Sequence, residues 1–273
     1  MNALATVPAM WDRRFLGVLA AALVVAFVML PPVVAAAWTG AGPTSHGQLV
    51  QATQQGFADY WRAGGGQLDA GLQRLVDYWF AFHVVKGVIS ALLLGTLVAL
   101  AVPLWRSRKL VAAGVSGLAV VAAAAVMANV QGMLAPLSSL LPMAGEPTLA
   151  AAGRELSAVL SSGAPMPASL EPMVSDFGWY HAVMVPIAGV AVLILLATSV
   201  LLWRGPSRAG HKPARGSSPA GHNPARGSSR AGHKVIAGVT LTLALVMGVV
   251  VTANATTAAD PAPALLAFFQ GGW

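Results

Sequence analysis

The chain contains no cysteine, so disulfide bonds, thiolate nucleophiles and cysteine-bound metal centres are excluded. It is also poor in charge. Asp, Glu, Lys and Arg make up 9% of the residues, where a soluble domain carries about a quarter. No nucleophile–base pair, glycine-rich phosphate loop or metal-spaced cluster can be picked out. No catalytic residue, metal ligand or cofactor is therefore assigned from the sequence, which reads as non-enzymatic. What the chain has in abundance is apolar: 56% of it is hydrophobic.

That apolar content is gathered into five runs, at 15–34, 79–105, 110–128, 179–203 and 235–253. About 20 helical residues cross the hydrocarbon core of a bilayer, and a spanning backbone must satisfy its own hydrogen bonds. The runs are too long and too uniform for barrel strands. The sequence thus predicts an all-α, polytopic membrane protein of about five transmembrane helices, with the lipid bilayer as its first partner.

The net charge of +7 would fit a nucleic-acid binder, but the placement of the charges argues against one. With the N-terminus in the cytoplasm, the 16 basic residues all fall on cytoplasmic segments except Arg62, Arg74, Lys86 and Arg154. Asp12 is the one acid on that side. This is the positive-inside pattern. It predicts a multi-pass protein of the plasma membrane, with the N-terminus inside, the C-terminus outside and contact between the basic face and anionic lipids. Protein partners are not legible.

Arg13 and Arg14 precede the first run, and small residues follow it, as in a secretory signal; the apolar stretch is long for a signal core and also fits a retained anchor. Pro31 and Pro32 predict a kink or an end to that helix.

The later spans read as a repeat. "HVVKGVISALLLGTLVALAVPLWR" begins at His83 and "HAVMVPIAGVAVLILLATSVLLWR" at His181, so the interval from His83 to Trp105 equals that from His181 to Trp203. The outward helices end alike: "MANVQGMLAPLSSLL" lies over "TANATTAADPAPALL" without a gap, placing Asn129 on Asn254 and Pro136 on Pro261. Two hairpins inserted in the same direction form a parallel repeat about an axis normal to the membrane. The organisation follows: an anchor at 1–38, an outer amphipathic helical hairpin at 39–78, a first repeat half at 79–142, an outer segment at 143–178, and a second half at 179–273.

The second half carries a long insert at 205–234 containing "GHKPARGSSPA" and then "GHNPARGSSRA". Gly, Pro, Ser and Arg without apolar period cannot bury a core, and disorder is expected. His211, His222 and His233 recur with the tandem unit and read as copies of one surface residue.

Outside the spans, Leu49, Thr53, Phe57 and Tyr60 keep helical spacing, as do Leu68, Leu72, Leu75 and Trp79, with three glycines at 64–66 between. Thr148 is placed to cap a further helix to residue 160. "ALLAFFQGGW" is too short to span. These parts read as small separate helical caps rather than as a folded domain.

Ionisable residues in spans are costly and mark candidate sites. His83, Lys86 and His181 lie near the outer ends of their spans, with Asn129 and Asn254 at the same level. Together they form the candidate ligand-binding cluster. Its polar groups also fit a structural reading of helix caps and hydrogen bonds near the interface, with Lys86 reaching toward water or paired to Asp176, Asp260 or Asp77. As a site, it would take a small anion, a lipid head, a quinone, or a haem or metal between His83 and His181.

"FHVVK", "MANVQGMLAPLSSLLP" and "TAADPAPALLAFFQGGW" resemble a family of multi-pass integral membrane proteins of actinobacteria, often described only by a twin-arginine signal. The resemblance covers most of 77–273 outside the tandem insert and brings no activity or ligand with it. Two function classes remain. One is a non-enzymatic envelope protein: a scaffold, an accessory subunit or a small-ligand binder. The other is a redox or transport component using the outer polar cluster.

Overall fold

The computed structural model of the protein describes residues 12–40, 42–204 and 225–272. Every regular element among them is helical: α1 (Arg13–Thr39), α2 (His46–Ala63), α3 (Ala70–Ser107), α4 (Lys109–Leu134), α5 (Pro136–Leu140) with a 3-10 turn (Leu141–Met143), α6 (Glu146–Ser162), α7 (Glu171–Arg204), α8 (Ala225–Ala259) and α9 (Pro261–Phe269). Five stretches are long and apolar enough to span a bilayer: α1, α3, α4, α7 and the part of α8 from Lys234 to Ala259. The protein is an all-α polytopic membrane protein.

The spans hide little of their apolar surface inside the protein. Only 11% of the apolar window of α1 is buried, and 33% of that of α3. Val18 is 70% exposed and Leu110 91%. In water each such side chain would forgo about 1.5–3 kcal/mol relative to burial, a cost that lipid contact removes.

The chain divides into two compact units. One holds Met1–Val183 and Thr257–Trp273; the other holds Met184–Thr256. In the first, α3 packs along both α1 and α4. Arg13 Nη1 donates to Ser107 Oγ at 3.2 Å, which puts the start of α1 and the end of α3 at one level with Arg106, Arg108 and Lys109. The helix α1 continues past Pro31 and Pro32 to Thr39, so the expected end does not occur there. Pro31 is fully buried, and its packing offsets the hydrogen bond its ring removes.

At the other end of this unit the short helices pool their apolar faces. The helix α2 starts at Ser45, whose hydroxyl accepts from the Gln48 N–H, and stops at Gly64 in the left-handed region. Asp69 caps α3 through the Leu72 N–H at 2.8 Å, and α3 then runs unbroken from the cap into the membrane. Phe57, Tyr60, Leu72, Leu140, Leu156, Leu170, Met173 and Leu265 are fully buried in one cluster. The expectation of separate caps is thus corrected: α2, the start of α3, α5, α6, the start of α7 and α9 share a single core. Each helix has one apolar stripe, too narrow to be stable alone, and the stripes cover each other. The helix α6 begins at Glu146, before the expected Thr148, because Pro147 pre-sets the first turn.

In the second unit, Ala188, Ala237 and Ala244 are buried, and Ser199 Oγ donates to the Ala237 carbonyl at 2.8 Å. Small residues and one polar bond of this kind let membrane helices approach closely. The helix α8 begins at Ala225, well before residue 235, so the disorder expected over 205–234 is corrected for its last part. Extending an existing helix end costs little. The rest of the tandem insert, with His211 and His222, lies outside the described residues.

Candidate functional site

Three of the five residues singled out in the sequence meet around one cavity of the first unit. His83 sits on α3 and Asn129 on α4. The Asn129 Nδ2 donates to the Ala125 carbonyl at 2.7 Å, leaving its Oδ1 as an acceptor. That oxygen lies 3.0 Å from His83 Nδ1. The pairing places the proton of the neutral imidazole on Nδ1 and leaves a bare lone pair on Nε2. Nε2 is buried without a hydrogen bond, against the Cα of Gly132. A Cβ added at Gly132 would lie 2.7 Å from it, so only glycine admits the ring here.

His181 lines the same cavity from α7. Its ring meets Phe177 edge-on at 4.7 Å and Tyr180 at 5.5 Å. His83 is held in the same way, by Trp79 edge-on at 4.7 Å and by Phe82 at 5.7 Å. The cavity has a volume of about 610 Å³. Its walls are mostly apolar and aromatic, from Trp79, Phe177, Tyr180 and Phe268, with Ser138 and Ser139 as polar points. Small-molecule sites have this size and mixture.

The two other residues take different places. Lys86 does not reach this cavity. Its ammonium lies 4.5 Å from the centre of the Phe27 ring on α1 and 5.0 Å from that of Phe82. Among the described residues no carboxylate lies within ion-pair distance of it, so the expected acidic partner is corrected. Asp176 is engaged elsewhere, accepting from the Ser138 N–H at 2.6 Å, and Asp77 accepts from Gln73 at 2.8 Å. Two aromatic faces can hold a desolvated cation where no carboxylate is near. Asn254 belongs to the second unit, where its Nδ2 donates to the Val250 carbonyl at 2.8 Å, matching the bond of Asn129 to Ala125.

Several contributors carried no signal of their own in the sequence. Gln131 Nε2 donates to the Tyr180 carbonyl at 2.9 Å and ties α4 to α7 beside the cavity. Trp79 Nε1 donates to Ser139 Oγ at 2.7 Å. Ser138 is buried at the cavity wall, and its hydroxyl makes no hydrogen bond of ordinary geometry. Gly132 stood in the quoted repeat, yet only the position of the His83 ring explains it.

No family model, no curated protein and no solved structure matches the chain. Fold and site together define a polytopic helical membrane protein with an aromatic-walled cavity under a helical cap.

Proposed function

We propose that the protein is a non-enzymatic membrane protein of the cell envelope that binds a small, mainly apolar ligand in the cavity beside His83 and His181. The observation that carries this reading is the cavity itself: about 610 Å³, walled by four aromatic rings and bordered by few polar atoms. The polar groups around it hold the scaffold together. His83 Nδ1 faces Asn129, Trp79 donates to Ser139, and Gln131 holds the Tyr180 carbonyl. Groups so committed orient a ligand better than they move protons. A haem between the histidines fits less well, since His83 offers neither nitrogen to the cavity in this geometry.

The same reading keeps α1 as an anchor, since it supplies Phe27 to Lys86 and packs along α3. It places the basic ends of the spans in the cytoplasm and the cap outside the plasma membrane. It also treats the two halves as a duplication. In support, the ring contacts of His83 and His181 match, as do the back-bonds of Asn129 and Asn254. Helices α5 and α9 both open on proline after a residue of like backbone geometry, φ −137° at Ala135 and φ −141° at Asp260. The resemblance to actinobacterial membrane proteins agrees with a plasma-membrane site.

The test is purification in mild detergent followed by mass spectrometry of bound small molecules. A species other than bulk lipid should co-purify with the native chain. Ala128→Trp, at an exposed residue of the cavity lining, should lower it tenfold or more. Equal retention by both chains, or nothing but bulk lipid on the native one, overturns the proposal.

A further inference from the structure

Lys86 lies in a second cavity of the first unit, distinct from the one beside His181. It has a volume of about 340 Å³, and its lining includes Phe27, Phe82, Ser45 and His46. Three features make this end polar. The Lys86 ammonium has aromatic faces but no carboxylate among the described residues. The Ser45 hydroxyl accepts from the Gln48 N–H, which leaves its own proton to give. The His46 imidazole stands on the first residue of α2. A cation in a membrane span without a counter-charge is costly, and an anion brought to it would relieve that cost.

A third cavity adjoins this one. Its volume is about 370 Å³, and its walls are apolar: Ala21 and Val24 of α1, Leu93 and Leu97 of α3, and Val121 and Ala125 of α4. Phe27 lines both cavities, so the polar end and the apolar groove meet at its ring. From Lys86 to Leu97 the helix descends about 16 Å at ~1.5 Å per residue, about half of the ~30 Å hydrocarbon core. The groove therefore has the depth of one leaflet, with a cation at the interface end of it. A free anion would use only the upper cavity; a neutral hydrocarbon would use only the lower.

We infer that one anionic phospholipid binds here, its phosphate on Lys86, Ser45 and His46 and one acyl chain in the groove lined by α1, α3 and α4. The Phe27 ring separates the two parts and carries the ammonium, so that the charge sits where the phosphate of a leaflet lies. The site does not depend on what fills the cavity beside His181.

The test is native mass spectrometry of the full chain in detergent, supplied in turn with phosphatidylglycerol, phosphatidylcholine and inorganic phosphate. The native protein should retain one phosphatidylglycerol, at least tenfold in preference to phosphatidylcholine. Lys86→Gln should remove the preference, and Lys86→Arg should keep it. Ala21→Trp, which fills the groove from an exposed position without touching the charge, should lower retention tenfold. Should Lys86→Gln fail to elute as a folded species, Lys86→Arg and Ala21→Trp decide between them. Equal retention of the two lipids, or unchanged retention in Lys86→Gln or Ala21→Trp, overturns the inference. Displacement of the phospholipid by millimolar inorganic phosphate assigns the site to a free anion and overturns it as well.

Discussion

The carboxylate of Asp176, on α7, accepts a hydrogen bond at 2.6 Å from the backbone N–H of Ser138, on α5. Pro136 opens α5, and its capping residue Ala135 has no side chain to offer, so the acid of a distant helix satisfies an N–H that would otherwise be orphaned. The bond fastens the segment that forms one wall of the cavity beside His181. Asp176→Ala should therefore cost about 1–3 kcal/mol, the range for an unsatisfied buried donor. Asp176→Asn, which keeps an acceptor, should cost less. Thermal unfolding in detergent reads both, and equal melting temperatures for the native chain and Asp176→Ala would refute the role.

Gly132 and His83 should behave as one unit. A Cβ at Gly132 would stand 2.7 Å from the ring, and the ring is held on its other side by Asn129. Gly132→Ala should cost about 1–3 kcal/mol by overpacking. His83→Ala in the same chain should recover most of that loss, because it removes the clash. The double-mutant cycle measures this directly, and strict additivity of the two changes would contradict it.

Much of this fold was legible. Five spans follow from the length of the apolar runs; the break at Gly64 follows from its left-handed backbone, and the one after residue 107 from the charges of Arg106, Arg108 and Lys109 between two apolar runs. What was not legible arises where elements meet. Lys86 was expected to find an acid, because charge complementarity can be read along a chain; that Phe27 of α1 faces it cannot be, since the rotation of one apolar helix against another leaves no sequence period. The shared core of the cap was missed for the opposite reason. Each short helix showed a proper apolar stripe, but the stripes do not say which of them pair. His83 and His181 stood out as ionisable residues in spans at matching intervals from Trp105 and Trp203, while Ser138 and Gln131 look like any polar residue beyond a span.

Tyr60 offers a test of that shared core at high pH. It is fully buried, and its hydroxyl donates to the Ser169 carbonyl at 2.8 Å. Burial raises its phenol above the usual value, so the folded chain resists its ionisation more than the unfolded chain does. The stabilisation is complete below the ordinary phenol pKa, about 10, and is lost as pH rises from there through the folded value. Tyr60→Phe should cost about 1 kcal/mol at neutral pH. It should also show a smaller fall in melting temperature than the native chain above about pH 10. Parallel alkaline profiles for the two chains would place the effect elsewhere.

Orientation is the last prediction. The start of α1 and the end of α3 meet through Arg13 and Ser107, which brings Arg13, Arg14, Arg106, Arg108 and Lys109 to one end of the first unit. The cap at the opposite end carries Asp59, Asp69, Asp77, Glu146, Glu155 and Glu171. Lys and Arg within about 15–20 residues of a span set its direction, and acids contribute little, so the basic end should be cytoplasmic and the cap outside. A chain without cysteine makes the test clean, since a single introduced thiol is the only one. At the cap end Gln270→Cys is preferable to a change at Gly271, where φ is +78° and a side chain would be strained. For the side that the placement of charges in the sequence predicts to be cytoplasmic, Ser217→Cys, in the tandem insert, serves. In intact cells an impermeant maleimide should label Gln270→Cys, and should label Ser217→Cys only after the membrane is opened. Labelling of Ser217→Cys in intact cells would invert the topology and place both the cap and its cavities on the cytoplasmic side.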